Sequence, residues 1–236
     1  MSVISKEDLH LSSFTDLENI EKQKCPSCSR NRMYFCYDCR SIMPKVFTPI
    51  VKLPCDVDII KHPMEKNSKS SALTCKIVAP SQTRVFDHPE VFDYRKEEQG
   101  EDGSTVLLFP SSTALPIEEF VKRHGKIKRF VVLDCTWFQV GVMQRTPEIQ
   151  GLPCVMLKDY KTAFWRPQHN VNDSHLATVE AIYYAQREYN ELAVNKLPQS
   201  SFDDLLFWFF FTRDKVYTKL MERKRRINSS AKEDGC

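Results

Sequence analysis

Phe130, Val131, Val132 and Leu133 form an unbroken apolar run, and Asp134, Cys135, Thr136 and Trp137 follow it at once. Four apolar residues in succession, two of them β-branched, predict a strand buried on both faces, as the strands of parallel sheets are. A strand covered on both faces needs helices to cover it, so the stretch from Ile127 to Val140 commits the chain to an α/β fold. Its polar residues then fall at the carboxyl end of the strand. Ligands of open α/β sheets bind at that end, where loops and helix N-termini present backbone N–H groups.

Which ligand is narrowed by what is missing. The chain has only six glycines in 236 residues, and none forms G-x-G-x-x-G or G-x-x-x-x-G-K. A dinucleotide fingerprint and a P-loop are both excluded. The length suits one sizeable core plus a small appendage. The apolar run Leu205 to Phe211 is too short to span a bilayer, and Met1 to Leu11 mixes charge with polar residues, so no membrane partner and an intracellular, soluble protein are expected. Net charge is only +3, yet the basic residues are clustered. Lys122, Arg123, Lys126, Lys128 and Arg129 precede the central strand, and Arg223, Lys224, Arg225 and Arg226 close the last helix. Such clusters suit phosphate contacts, and equally a solvated helix face or a nuclear-import signal.

Cys25-Pro-Ser-Cys28 and Cys36-Tyr-Asp-Cys39 are separated by seven residues. Two C-x-x-C knuckles place four thiolates where one tetrahedral Zn²⁺ can collect them. Four sulfurs close the coordination shell, so the ion expected is structural rather than catalytic, and an intracellular chain disfavours disulfides. Tyr34, Phe35, Tyr37, Arg30 and Arg32 nearby either pack this ribbon or meet nucleic-acid bases and phosphates.

Along the chain, residues 1–22 read as a flexible arm and 23–48 as the ribbon. Residues 49–226 read as the main α/β domain, which the family resemblance given below makes the catalytic one, and 227–236 as a tail. Strands are predicted at Val57–Ile60, Leu73–Val78, Val106–Phe109 and Cys154–Leu157, and residues 81–104 as a surface excursion. Pro116 opens a helix through His124, with Glu118 and Glu119 in its first turn. Thr136 is placed as the N-cap of a helix over Trp137–Met143. Val179, Ile182, Tyr183 and Gln186 fall at helical spacing, and a last helix runs from Phe202 to Arg226. His62, at a strand end, suits either acid–base chemistry or a structural role.

Several short motifs then occur in a set order: K-H-P-x-E at Lys61–Glu65, L-F-P at Leu108–Pro110, D-C-T-W at Asp134–Trp137, F-W-R at Phe164–Arg166 and L-A-T-V-E-A at Leu176–Ala181. With the two knuckles they make the chain resemble the DTW-domain family, closest to its eukaryotic tRNA-uridine aminocarboxypropyltransferases, over nearly all of residues 25–220. The resemblance implies a SPOUT-like sheet with a C-terminal knot. It implies S-adenosylmethionine as co-substrate, tRNA as partner, no DNA, and transfer of the 3-amino-3-carboxypropyl group to N3 of a uridine. The cofactor would lie against Leu108, Phe109, Pro110, Leu133, Asp134, Leu176, Thr178 and Glu180. RNA would meet His62, Lys126, Lys128, Arg129 and Arg166.

Asp134, Thr136 and Trp137 are the catalytic candidates. Asp134 either takes the N3 proton or orients the base, and alternatively caps the following helix with Thr136. Trp137 either shapes the cofactor pocket or packs beneath it. Ala177 departs from the family's usual serine, and loss of a helix cap there would cost about 1 kcal/mol unless Thr178 replaces it. Cys135 occupies a variable position and need not be a nucleophile. A methyltransferase and a non-catalytic zinc-ribbon RNA-binding module are the alternative readings. The nucleus is favoured over the cytoplasm, and the oligomeric state stays open.

Overall fold

The computed structural model describes residues 2–97, 103–136, 138–165 and 175–233. Its frame is a six-stranded sheet made of β1 (Asp56–Lys61), β2 (Thr83–Asp87), β3 (Ser104–Leu108), β4 (Leu115–Pro116), β5 (Ile127–Asp134) and β6 (Cys154–Met156). Their spatial order is β2-β1-β5-β3-β6-β4, with every pairing parallel. The predicted central strand is central. It pairs with β1 on one side, from Arg129 opposite Asp56 to Asp134 opposite Lys61, and with β3 on the other.

Alternation along β5 divides the core between the two faces, as the two-residue period of a strand requires. Phe130 and Val132 join the larger cluster, and Val131 joins a smaller one with Ile60, Leu107, Tyr94, Met143 and Ile149. The larger cluster is covered by α1 (Leu73–Val78), α2 (Ile117–His124), α4 (Thr178–Leu192) and the start of α5 (Phe207–Glu233), while the short α3 (Val140–Met143) serves the smaller. The aromatic opening of α5 is buried all round: Phe207, Trp208, Phe209, Phe210 and Phe211 are each at most 5% exposed. Beyond Val216 the helix leaves the body, and Leu220 on the expected apolar face is exposed.

Five expectations are corrected. Leu73–Val78 is a helix, not a strand; a six-residue apolar run carries no period that separates the two. Within the supposed excursion of residues 81–104, Thr83–Asp87 forms an edge strand on β1, where the charges of Arg84 and Asp87 are tolerated because one side is unpaired. The N-terminal segment is a strap rather than a free arm. Ser2–Val3 pairs with Tyr160–Lys161, Ile4 and Leu17 are buried, and the backbone N–H groups of His10 and Ser12 donate to Asp203 and Asp204. The ribbon is not a separate unit, since Cys25, Cys36 and Met43 share the large core cluster. Finally, α5 runs to Glu233, through most of the expected tail.

Candidate active site and metal centre

The carboxyl ends of β3, β5 and β6 converge on a cavity of about 330 Å³, within the range of small-molecule sites. Leu108, Phe109 and Pro110 come from the end of β3, Leu133 and Cys135 from β5, and Met156 through Tyr160 from β6. Leu176, Thr178 and Ala181 close it from the start of α4. Six of the eight expected cofactor residues therefore line one space. The wall is mostly apolar, and Lys158 and Asp159 stand at its exposed edge. α4 also holds that edge in place: Glu188 accepts from the Lys158 N–H at 2.9 Å, and the Tyr184 ring stacks on Tyr160 at 3.7 Å. The signal for Leu157–Tyr160 in the sequence is their place at the carboxyl end of the strand predicted at Cys154–Leu157, where ligands of open α/β sheets bind.

Asp134 and Glu180 do not face the cavity; both are buried behind it. The Asp134 carboxylate is 3% exposed and accepts two hydroxyl hydrogen bonds, from Ser70 at 2.6 Å and Thr178 at 2.8 Å. Burial raises its pKa above the ordinary carboxylate value, against those two hydrogen bonds and the Lys61 ammonium, which lower it. Lys61, also buried, is spanned to the carbonyls of His62 and Glu65 and lies 3.3 Å from Asp87. The helix-cap reading of Asp134 is thereby corrected. Thr136 is no N-cap either: it is exposed, its N–H donates to the Gln139 side-chain oxygen, and α3 begins only at Val140. Cys135 lines the cavity as a neutral thiol, since burial pushes its pKa up to about 12. Trp137 and Arg166 lie outside the described residues.

Glu180 is a buttress. Its carboxylate accepts from the backbone N–H groups of Ala163 and Ala177 and from the Thr162 hydroxyl, all at 2.6–2.7 Å. It thus ties the F-W-R segment to the start of α4, and Phe164 and Trp165 pack against Phe209. The helix-cap question raised by Ala177 is also answered. Ala177 occupies the N-cap position, and Thr178 spends its hydroxyl on Asp134. Ser71, from the loop after K-H-P-x-E, accepts from the Val179 N–H at 3.4 Å and supplies the missing acceptor. No periodicity could have shown this, because the cap arrives from residues over a hundred positions away.

His62 belongs beside this constellation. Its N–H donates to the Asp134 carbonyl at 3.0 Å and its Nδ1 accepts from the Met64 N–H. Burial, then His88 and Lys61, lower its pKa and favour the neutral ring. Lys126, Lys128 and Arg129, the expected RNA contacts, lie away from the cavity. They stand just before and at the start of β5, five to eight residues or about 16–26 Å from Asp134 at ordinary strand rise. Lys128 pairs with Glu97, and Arg129 with Glu97, Asp56 and Asp58.

The four knuckle sulfurs of Cys25, Cys28, Cys36 and Cys39 lie within 4.8 Å of one another, with Cys28 and Cys36 at 3.7 Å. Tetrahedral zinc with 2.3 Å bonds separates its sulfurs by about 3.8 Å, so the cluster fits that ion. Asp38, between the second pair, accepts from Asn67, Arg30 and Arg32. It anchors the ribbon to the loop that carries Ser70 and Ser71.

A family model of the DTW domain matches residues 22–217. The tRNA-uridine aminocarboxypropyltransferase 1 of Xenopus tropicalis is 30% identical, with 87% of this chain and 84% of that protein aligned. Its counterparts in Mus musculus and Homo sapiens are each 29% identical, over 80% of this chain and 75% of theirs. A solved structure, the SAM-dependent rRNA:acp-transferase Tsr3 from Vulcanisaeta distributa, is 20% identical with a TM-score of 0.38, covering 59% of this chain and 73% of that one.

Proposed function

We propose, from the premise that this chain belongs to the DTW domain family, that it transfers the 3-amino-3-carboxypropyl group of S-adenosylmethionine to N3 of a uridine in tRNA, releasing methylthioadenosine. The observation that carries the proposal is the match to the DTW domain over residues 22–217, joined to relatives named for this transfer along most of their length. The cavity at the strand ends supports it: its size and apolar wall suit an adenosine, and Lys158 and Asp159 at its edge suit a zwitterionic amino-acid tail.

S-adenosylmethionine supplies a sulfonium with three electrophilic carbons. The protein's task is to admit the acceptor nitrogen to only one of them, which is a matter of alignment. Leu108, Phe109, Pro110, Leu133, Leu176 and Thr178 would hold the donor. Asp134, beneath Thr178, would handle the N3 proton. Cys25, Cys28, Cys36 and Cys39 would hold structural Zn²⁺, and His62, Lys126, Lys128, Arg129 and Arg166 would meet the tRNA. A SPOUT-like C-terminal knot, and nuclear import directed by Arg223–Arg226, belong to the same proposal. A fluorescent fusion lacking those four residues that still enters the nucleus would overturn the import reading.

The decisive experiment incubates the protein with unmodified tRNA and S-adenosylmethionine labelled in the carboxyl or in the methyl group. Carboxyl label on tRNA is the expected result. Methyl label would instead make the protein a methyltransferase, and tRNA binding with neither label would make it a non-catalytic RNA-binding module.

A further inference from the structure

Asp134 cannot reach an acceptor directly, because it does not line the cavity and each carboxylate oxygen already receives a hydroxyl. Among the described residues, Thr178 alone bridges the two: it lines the cavity and donates to Asp134 Oδ1 at 2.8 Å. Resting on the transferase reading above, we infer that Thr178 is a catalytic residue that relays the acceptor's N3 proton to Asp134. Ser70 acts as the positioning residue that fixes the carboxylate from the other side.

The step balances. The N3 proton passes to Thr178 Oγ1 as the threonine's own proton passes to Asp134 Oδ1. The electron pair left on N3 forms the new N–C bond, and the C–S bond breaks with its pair going to sulfur. The charges close as well: the sulfonium is neutralised and the carboxylate becomes a carboxylic acid. Proton transfer of this kind needs hydrogen-bond reach at both ends and a final acceptor of suitable affinity. An ordinary carboxylate is a poor match for a ring imide proton, and burial makes Asp134 a better one.

Among the described residues, few groups face Asp134. Lys61 lies opposite it on β1, Cys75 comes from α1, Cys135 follows it in the chain, α4 contributes the Thr178 hydroxyl and the loop contributes Ser70. Ser70 is itself held, since its Oγ accepts from the Leu73 N–H at the start of α1 at 3.4 Å. A threonine serving only to contact the donor would need its methyl group and shape. A relay needs the hydroxyl.

The test measures carboxyl-label transfer to tRNA by full-length protein across a pH series. Thr178→Val keeps the shape and removes the hydroxyl; it should lower kcat by about 100-fold or more while KM for S-adenosylmethionine changes less than about threefold. Thr178→Ser should restore kcat to within about fivefold. Ser70→Ala removes a hydrogen bond that lowers the Asp134 pKa, so the midpoint of the kcat–pH profile should move to higher pH. Wild-type protein that transfers no carboxyl label defeats the transferase reading. If the wild type transfers label and Thr178→Val retains more than half of its kcat, or Thr178→Ser is as slow as Thr178→Val, the relay is overturned. An unmoved Ser70→Ala profile removes Ser70 from it.

Discussion

Asp58 and Asp134 stand on neighbouring strands of one sheet, 0% and 3% exposed, yet their surroundings differ in kind. Asp58, within β1, faces the guanidinium of Arg84, the Arg129 Nε at 3.4 Å and the Tyr94 hydroxyl. Asp134, at the end of β5, faces two hydroxyls, with Lys61 as the neighbouring cation. Guanidinium groups only donate, whereas hydroxyls can turn and accept. Two guanidinium groups that can only donate, and a phenol, hold the first carboxylate. The second sits where the proton can be on either side, which is what acid–base work requires.

The same substitution should therefore give different results at the two positions. Asp58→Asn sets an amide donor against a guanidinium and removes the charge-assisted hydrogen bonds of a fully buried carboxylate, so about 2–3 kcal/mol of unfolding stability should be lost. Urea denaturation at pH 7 reads it. An Asp58→Asn protein as stable as wild type would show that this network does not carry the sheet.

Asp38 offers an intermediate case, ion-paired but partly exposed. Its hydrogen bonds, from Asn67 first and then from Arg32 and Arg30, hold its pKa down to about 2. A lowered carboxylate pKa stabilises the fold above the unfolded value of 3.8, and that contribution is lost as pH falls through about 2. Asp38→Asn should cost about 1 kcal/mol at pH 7 and progressively less in acid, as successive melts from pH 7 to pH 2 would register.

Asp134→Asn should have the smallest effect on stability, within about 1 kcal/mol of wild type at pH 7, because Ser70 and Thr178 can both reorient. Here the sign reverses. A raised folded-state pKa means that the native state binds the proton more tightly, so wild-type stability falls as pH rises from 3.8 through the folded value. The mutant lacks that fall. Its stability relative to wild type should increase over that window, while its transfer activity is lost. A destabilisation matching that of Asp58→Asn would make Asp134 a structural anchor instead.

These differences explain what could be read in advance. The run Phe130–Leu133 and the polar residues after it located the central strand and the productive end of the sheet, because burial and strand polarity are local signals. The knuckle spacing likewise brought four sulfurs together. Ser70, Ser71 and the segment Leu157–Tyr160 escaped because their importance lies in partners far along the chain. Lys128 and Arg129, close to Asp134 in sequence, are carried away from it along an extended strand, and acidic partners meet their charge. The helix at Leu73–Val78 was illegible for another reason, since only packing decides so short an apolar run.

The N-terminal strap has a practical consequence. Ser2–Val3 pairs with Tyr160–Lys161, and Tyr160 is part of the cavity wall. A purification tag fused ahead of Ser2 would pull on the pocket rim, so a handle placed at the other terminus is the safer choice for any assay of donor binding.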